Sequence, residues 1–281
     1  MILIADSGST KTDWRLLDDR KKIIQFRTAG LNPFFLTSGE IREIIQTEFS
    51  PEIHPGSVDR IFFYGAGCSS KEKCDLIKEA LKSVFLKAEI EVYSDLLAAC
   101  HSLCGTNEGI VAILGTGSNS CFYNGIEITK QVTSLGFILG DEGSGSHIGK
   151  KLLQGIFYRE LPEQLLKKFD DRFHLTKEDV LEAVYRKKLP NQFLASFAHF
   201  AFQQRNEPSV SKLVYTCFKE FFEHHISGYD TEGRYPIHCT GSIAYNFSEI
   251  FRQVAAEKKI KVGTITESPI AGLSLYYLGE S

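Results

Sequence analysis

An α/β fold built from two related halves is expected from two features of this chain. A short apolar strand followed by a turn of small residues occurs at the N-terminus, and the pattern recurs about 110 residues later, which indicates an internal duplication of architecture. The predicted elements of the first half follow the order β-β-β-α-β-α, which is typical of a mixed sheet with helices packed on it.

The composition is that of an ordinary soluble globular protein. The 281 residues are 43% hydrophobic and 24% charged, and this length suits one large or two modest domains. A net charge of −3 gives no electrostatic reason to expect nucleic acid or a membrane as a partner. No apolar run approaches the roughly 18 residues of a transmembrane helix, and no export signal is recognisable. Seven cysteines without a framework spacing indicate reduced thiols, so we expect a cytoplasmic protein.

The first half opens on the strand 1–5, which ends at Asp6 and the turn segment SGSTKT at 7–12. This segment offers hydroxyls, one lysine and backbone N–H groups that an anion can approach closely. A carboxylate at the strand end suits Mg²⁺, which prefers one or two carboxylates together with phosphate oxygens. The alternative is an ordinary hairpin turn, and the spacing matches neither a P-loop nor a Rossmann fingerprint.

Two further loops of this half carry candidate binding groups. Asn32 lies in a Gly- and Pro-marked loop, where its amide can read a hydroxyl, although on chemistry alone a plain turn former is favoured. Gly65 and Ala66 begin a second small-residue loop directly after a strand. The predicted strands are 12–17, 22–28, 58–64 and 89–93, and the predicted helices are 38–48, 71–86 and 96–103.

Asp95 stands where a predicted strand ends and an apolar helix begins. An acid at such a junction can cap the helix by accepting backbone N–H bonds, or it can act as a general base at the rim of a sheet. Spacing alone favours the cap. Cys100 and Cys104 share one face of this helix, and without further ligands nearby they are interpreted as buried, inert thiols.

The second half begins after a Gly-rich boundary at 105–109. A strand at 110–114, the turn GTGSNS at 115–120 and a returning strand at 121–123 repeat the opening pattern, and Asn124-Gly125 predicts another hairpin. Asp141 and Glu142 then stand among four glycines just before a helix from His147. Such a segment is either functional or a simple turn that starts the helix.

The remainder of this half is predicted to be mostly helical from 150 to 230, with helices at 150–169, 177–186, 192–204 and 209–226. Their phenylalanines recur at helical spacing and are predicted to form a core. A strand at 235–240 leads into Gly241 and Ser242, which suit close approach of a flat adenine or ribose, or form a plain β–α turn. After a short strand at 261–264, Ser268-Pro269 is typical of the start of a final helix.

Three of these turns carry a family resemblance. DSGSTK at 6–11, GTGSNS at 115–120 and TGSIA at 240–244 resemble the first phosphate, second phosphate and adenosine motifs of the actin, Hsp70 and sugar-kinase superfamily. Within it, GTGSN followed by G-x-x-x-GDEGS is similar to the N-acetylglucosamine kinase and BadF/BadG-type ATPase family. The resemblance implies two actin-like (ribonuclease H-like) lobes with a nucleotide cleft between them. It implies an N-terminal lobe at 1–106, a C-terminal lobe at 107–267, and a terminal helix at 268–281 that returns to the N-terminal lobe.

The resemblance also implies the roles of individual residues. Asp6 would lie near Mg²⁺, and Asp95 matches the catalytic base, which moves its interpretation from cap to base. The residues implied to contact ATP are Ser9, Thr10, Lys11, Thr116, Gly117, Ser118, Gly241 and Ser242. The residues implied to hold the sugar are Asn32, Gly65, Ala66, Asp95 and Asp141.

The implied function is ATP-dependent phosphorylation of an amino sugar, foremost N-acetylglucosamine or glucosamine at the 6-hydroxyl, by a homodimer. Two other classes are weighed. A dehydratase or reductase activator would hold an iron–sulfur cluster, and Cys121, Cys217 and Cys239 lack the clustered, loop-borne arrangement for one. A non-catalytic sugar sensor would lack the base. One departure leaves the exact sugar open: Leu135, with Phe137 close by, stands where animal N-acetylglucosamine kinases carry an aromatic residue that packs on the sugar.

Overall fold

The computed structural model describes residues 1–18, 22–229 and 233–279. These divide into two compact units. Unit 1 comprises Met1–Asn107, Gly125–Glu127 and Ser268–Ser281, and unit 2 comprises Glu108–Asn124 and Ile128–Glu267. Residues 280 and 281, which belong to the predicted terminal segment, lie outside the described residues.

Each unit contains one five-stranded sheet. The strands are β1 (Ile2–Ser7), β2 (Lys11–Leu17), β3 (Ile23–Ala29), β4 (Arg60–Gly65), β5 (Glu89–Ser94), β6 (Glu108–Leu114), β7 (Ser118–Asn124), β8 (Ile128–Gln131), β9 (Ile237–Thr240) and β10 (Val262–Thr266). The order is β3-β2-β1-β4-β5 in unit 1 and β8-β7-β6-β9-β10 in unit 2. In both, the first three strands are antiparallel and the last two run parallel to the central strand. The identical topology confirms the predicted α/β fold with a duplicated architecture.

Helices follow the strands in both units. They are α1 (Ser38–Glu48), α2 (Lys71–Val84), α3 (Asp95–Cys104), α4 (Gly136–Leu139), α5 (Gly145–Phe157), α6 (Glu163–Phe173), α7 (Lys177–Tyr185), α8 (Pro190–Ser196), α9 (Ala198–Gln203), α10 (Pro208–Phe221), α11 (Ser242–Asn246), α12 (Ser248–Glu257) and α13 (Ile270–Leu278). Local signals explain several ends, for example a capping box at Thr37 before α1 and another at Thr176 before α7. Over the described ranges, no helix is both long enough and apolar enough to span a membrane.

Each unit has its own apolar core. In unit 1, Trp14 is fully buried, and its ring lies 5.8 Å from Phe26 and 5.7 Å from Phe49. On another face of the same sheet, α13 places the ring of Tyr277 over Phe62, with centroids 3.8 Å apart. Burial of such large apolar side chains is the main force that holds each unit together.

The core of unit 2 is dominated by phenylalanine, which confirms that the predicted helical phenylalanines are core residues. Two predicted helices are split in the structure. The segment 150–169 is divided between α5, which ends at Phe157, and α6, which begins at Glu163 after Pro162. The segment 192–204 is divided into α8 and α9 at Phe197. The predicted helix that runs to 226 also changes form, since α10 ends at Phe221 and a π-helical segment (Phe222–Ile226) follows. Such a segment adds a residue to the helical turn and changes the direction of the side chains that follow it.

Candidate active site

One edge of the unit 1 sheet gathers the residues predicted for chemistry. The strand register places Ser7 opposite Gly65 and Gly65 opposite Ser94, so the carboxyl ends of β1, β4 and β5 are level. The N–H of Ala66 donates to the carbonyl of Ser7 at 2.8 Å, which fixes the loop after β4 to the end of β1. Asp95, the residue after β5, therefore lies at the same edge.

Asp6 is a carboxylate in a surrounding that disfavours its charge. Burial raises its pKa to about 7, and the hydroxyl of Ser268, which donates to Oδ2 at 3.2 Å, opposes that rise. The negative charges of Asp13 and Asp95 raise the pKa further, whereas the nearby Lys11 lowers it. A half-buried carboxylate with two other acids nearby is suited to binding a divalent cation.

The pKa of Asp95 is also raised toward neutral pH. Burial raises its pKa to about 6, and backbone N–H groups, foremost that of Leu96, oppose the rise. The capping alternative for Asp95 is wrong, because the side chain of Ser94 caps α3 by accepting the N–H of Leu97 at 3.3 Å. Asp95 is the first residue of the helix, and its carboxylate accepts N–H groups of the first turn, foremost that of Leu96.

The three residues between β1 and β2, Gly8–Thr10, are called turn 1. The hydroxyls of Ser7 and Thr12 lie beneath it, 2.8 Å apart and buried. That of Ser7 also accepts the N–H of Leu31 at 3.0 Å. These two hydroxyls, which the sequence offers as donors to an anion, are therefore used inside the protein. Thr10 and Lys11 are exposed.

Asn32 joins turn 1 to the loop after β4. Its Nδ2 donates to Oγ of Ser9 at 2.7 Å, and its Oδ1 accepts the N–H of Phe34 at 2.9 Å. A Cβ atom on Gly67 would lie 2.4 Å from the same Oδ1, so this loop requires glycine at φ 86°. Asn32 is only 6% exposed, and one N–H and one acceptor site of its amide remain for a ligand.

The three residues between β6 and β7, Gly115–Gly117, are called turn 2. The start of α5 holds their carbonyls: the N–H of Gly145 donates to Gly115 at 2.8 Å, and that of Ser146 donates to Thr116 at 3.0 Å. A turn whose carbonyls are held in this way can present N–H groups to an anion. A Cβ on Gly115 would meet no atom within 4 Å, so the space beside this residue is open within the protein.

Asp141 supports turn 2 directly. Its Oδ1 accepts the N–H of Ser118 at 3.2 Å, and a Cβ on Gly117 would lie 2.9 Å from its Oδ2. Burial raises the pKa of this carboxyl, and the N–H of Ser118 opposes the rise. The N-cap of α5 is Ser144, whose hydroxyl accepts the N–H of His147 at 3.2 Å. Asp141 is therefore not the cap of this helix. Asp141 has a positive φ of 59°, a strained conformation of the kind that accompanies functional sites.

Two histidines that the sequence did not single out for this site hold the loop that carries Asp141. Glu142 Oε2 lies 2.9 Å from Nε2 of the buried His225, and the N–H of Gly143 donates to Nδ1 of His147 at 3.1 Å. Burial lowers the pKa of His147 to about 4, so this ring is neutral and can accept that bond. No sequence signal pairs His225 with Glu142, because 83 residues separate them.

Gly241 and Ser242 lie where β9 ends and α11 begins. Gly241 has a φ of 117°, and a Cβ there would lie 2.3 Å from the carbonyl oxygen of Leu114. Close packing against the end of β6 thus demands this glycine, while Ser242 is exposed. Contact with a nucleoside at this turn stays a prediction.

The cysteines form no recognisable cluster site. Cys121, Cys217 and Cys239 are fully buried in the core of unit 2. Over the residues that the structure describes, no group of three or more histidine, cysteine or acidic side chains is placed to hold a metal ion. Leu135, at the position of the expected aromatic residue, is 58% exposed.

Comparisons with known proteins support the family resemblance. The model of the BadF/BadG/BcrA/BcrD ATPase family matches residues 5–274. A curated relative, the N-acetylmuramic acid/N-acetylglucosamine kinase of Clostridium acetobutylicum, is 25% identical over 211 residues, which are 68% of this chain and 66% of the relative. The aligned part of this chain thus spans just under two thirds of that relative's length.

Solved structures agree with the family match. A candidate N-acetylglucosamine kinase from Porphyromonas gingivalis is 40% identical, with a TM-score of 0.95 over 99% of both chains. A candidate N-acetylglucosamine kinase from Chromobacterium violaceum shares the fold at 17% identity, with a TM-score of 0.70 over 98% of both chains. The predicted resemblance and the predicted fold are confirmed.

Proposed function

The chain belongs to the BadF/BadG/BcrA/BcrD ATPase family, and we propose that it is an ATP-dependent sugar kinase. The observation that carries this proposal is the edge of the unit 1 sheet, where Asp6, Asp95 and the Asn32-bound turn 1 lie at the ends of adjoining strands. Similarity to proteins named as kinases of N-acetylated sugars supports the choice of an amino sugar as acceptor.

Asp95 is the proposed general base. Its raised pKa, about 6, lies near the working pH, where a general base is most effective, and the N-cap of α3 is Ser94 rather than Asp95. It accepts the proton of the sugar hydroxyl as that oxygen bonds to the γ-phosphorus of ATP and ADP departs. Phosphoryl transfer depends mainly on positioning and on neutralisation of charge, so the protein needs little other chemistry.

Asp6 is the proposed magnesium residue. Its carboxylate fits a cation, because burial and two neighbouring acids disfavour its charge in the protein alone. Mg²⁺ supplies neutralisation of the phosphate charge when bound. The hydroxyl of Ser268 holds the carboxylate in place at 3.2 Å.

The remaining proposed roles follow the family resemblance of the two turns and their loops. The proposed sugar residues are Asn32, the loop that begins with Gly65 and Ala66, Asp95 and Asp141, with the 6-hydroxyl of N-acetylglucosamine or glucosamine as acceptor. The proposed ATP residues are Ser9, Thr10, Lys11, Thr116, Gly117, Ser118, Gly241 and Ser242. Water competes with the sugar as acceptor, so its exclusion matters for this reaction.

The test is an ADP-release assay over a panel of sugars, with the iron content of the same preparation measured. We expect release that depends on N-acetylglucosamine or glucosamine and a preparation without stoichiometric iron. Sugar-independent ATP hydrolysis together with bound iron would favour the activator class instead. No ATP turnover with any sugar, alongside measurable sugar binding, would favour a sensor.

A further inference from the structure

Phe34 combines high exposure with fixed position. Its side chain is 59% exposed, although its own N–H is bonded to Oδ1 of Asn32 at 2.9 Å. Large apolar side chains of this exposure are ordinary when isolated. This one lies in the loop whose asparagine is proposed to read the sugar.

The ring of Phe34 is held from two sides. A Cβ atom on Gly67 would lie 2.8 Å from its Cδ2, so the ring rests on the loop after β4. The ammonium group of Lys73 lies 5.0 Å from the ring centroid, and it donates to the carbonyl of Pro33 at 2.7 Å. A cation–π contact of this kind fixes the ring without burying it. An exposed aromatic surface that is already immobilised binds a ligand with little further loss of conformational entropy.

We infer that Phe34 is a sugar-binding residue that packs against the apolar C–H face of the acceptor sugar ring. The inference rests on the proposed function, and it goes beyond it by adding an apolar contact to a site described so far only by polar groups. A hexose ring presents hydroxyls at its edge and C–H groups on its faces. Small-molecule sites combine an apolar surface with a few placed polar groups. Here the ring of Phe34 is the apolar surface and the amide of Asn32 is the polar group, and the N–H of Phe34 donates to Oδ1 of Asn32.

Phe35 provides a matched control within the same loop. It is 57% exposed, and its N–H donates to the backbone carbonyl of Asn32 at 3.0 Å. Among the described contacts, only the Phe34 ring of the two meets Gly67 and Lys73. Loss of general surface hydrophobicity would therefore affect the two residues alike, whereas a sugar contact would affect Phe34 alone.

The experiment compares Phe34→Ala, Phe34→Tyr and Phe35→Ala with the unmodified protein, using N-acetylglucosamine, glucosamine and glucose as acceptors. We expect Phe34→Ala to raise KM about threefold to tenfold for every sugar that is turned over, because aromatic contacts are worth up to roughly one power of ten in binding. Phe34→Tyr and Phe35→Ala should stay within about twofold, and the KM for ATP and the melting temperature should not change in any variant.

Several results would overturn this inference. They are an unchanged sugar KM in Phe34→Ala, an equal effect in Phe35→Ala, an equal rise in the KM for ATP, and an effect confined to N-acetylglucosamine. The last result would assign the ring to the acetamido group instead. Failure of the proposed function is separately visible, since the unmodified protein would then turn over no sugar of the panel.

Discussion

Turn 1 and turn 2 occupy the same place in two sheets of the same topology, yet different groups hold them. Turn 1 is supported by neutral groups, namely the buried hydroxyl pair of Ser7 and Thr12 and the amide of Asn32. Turn 2 is supported by the carboxylate of Asp141 and by N–H groups at the start of α5.

On the proposed function, the two sheets of this duplicated architecture have different tasks. Neutral groups support turn 1, and the acids of its sheet edge, Asp6 and Asp95, are the groups proposed to hold a cation and to accept a proton. In unit 2 the acid next to the turn is used to fix the turn itself. We therefore propose that unit 1 supplies the groups for the chemical step and that each turn contacts phosphate, and four predictions test that proposal.

The largest effect is expected from Asp95→Asn. Removal of the base should lower kcat by roughly 10²–10⁴-fold, the usual contribution of a general base. Stability should change little, since Ser94 caps α3. The measurements are steady-state kinetics and thermal unfolding of the variant, with Asp141→Asn as the comparison. A near-normal kcat in Asp95→Asn, or an equal loss in Asp141→Asn, would remove the distinction between the units.

The next effect concerns the glycines that open the turns. Gly115→Ala adds a methyl group where no protein atom lies within 4 Å, and Gly8→Ala adds one whose nearest neighbour is 3.7 Å away. Each should raise the KM for ATP by about tenfold or more, because the methyl group enters the space where phosphate would approach the backbone.

Gly39→Ala, at an exposed position of α1, is the matched control, and it should leave both KM values unchanged. Gly117→Val is less informative, because its side chain would meet Asp141 rather than open space. Normal ATP kinetics in folded Gly115→Ala would show that turn 2 is only structural.

A third prediction separates the two uses of Asp141. Asp141→Ala should raise the sugar KM by at least about tenfold, because hydrogen bonds to a charged acceptor are worth about 1.5–3 kcal/mol. It should also raise the KM for ATP, by roughly threefold to tenfold, because the N–H of Ser118 loses its acceptor. Both KM values and the melting temperature are measured on one preparation. An ATP KM that does not move would mean that turn 2 keeps its shape without the carboxylate.

The smallest effect is the pH dependence of turnover. Burial raises the pKa of Asp95 to about 6 from an ordinary value of 3.8, and the base must be ionised to accept a proton. Activity should therefore fall as pH falls through 6, with about a fourfold loss at pH 5.5. The same shift predicts that the contribution of Asp95 to stability is lost as pH rises from about 4 to 6, because the folded state prefers the protonated acid. A flat kcat/KM profile from pH 5 to 7 would contradict the role of Asp95.

The strands and turns were predictable from sequence because they depend on neighbouring residues: aliphatic runs that end in glycine, serine and threonine. The supports of the turns were not, because they depend on packing between distant segments. Ser268, predicted from Pro269 as part of a helix start, donates to Asp6 across 262 residues of chain. The hydroxyls of Ser7 and Thr12 look like ligand donors in sequence, and only the register of β1 and β2 shows that they bond to each other. Likewise, the helical periodicity of 192–204 gives no sign of the split at Phe197.

The most direct test is the fate of the γ-phosphoryl group of ATP when the unmodified protein is supplied with N-acetylglucosamine and Mg²⁺. Phosphorus and proton NMR of the products should show a sugar 6-phosphate monoester formed in equal amount to ADP, with little inorganic phosphate. ADP formed together with inorganic phosphate, and no sugar ester with any acceptor tested, would contradict the assignment of this chain as a sugar kinase.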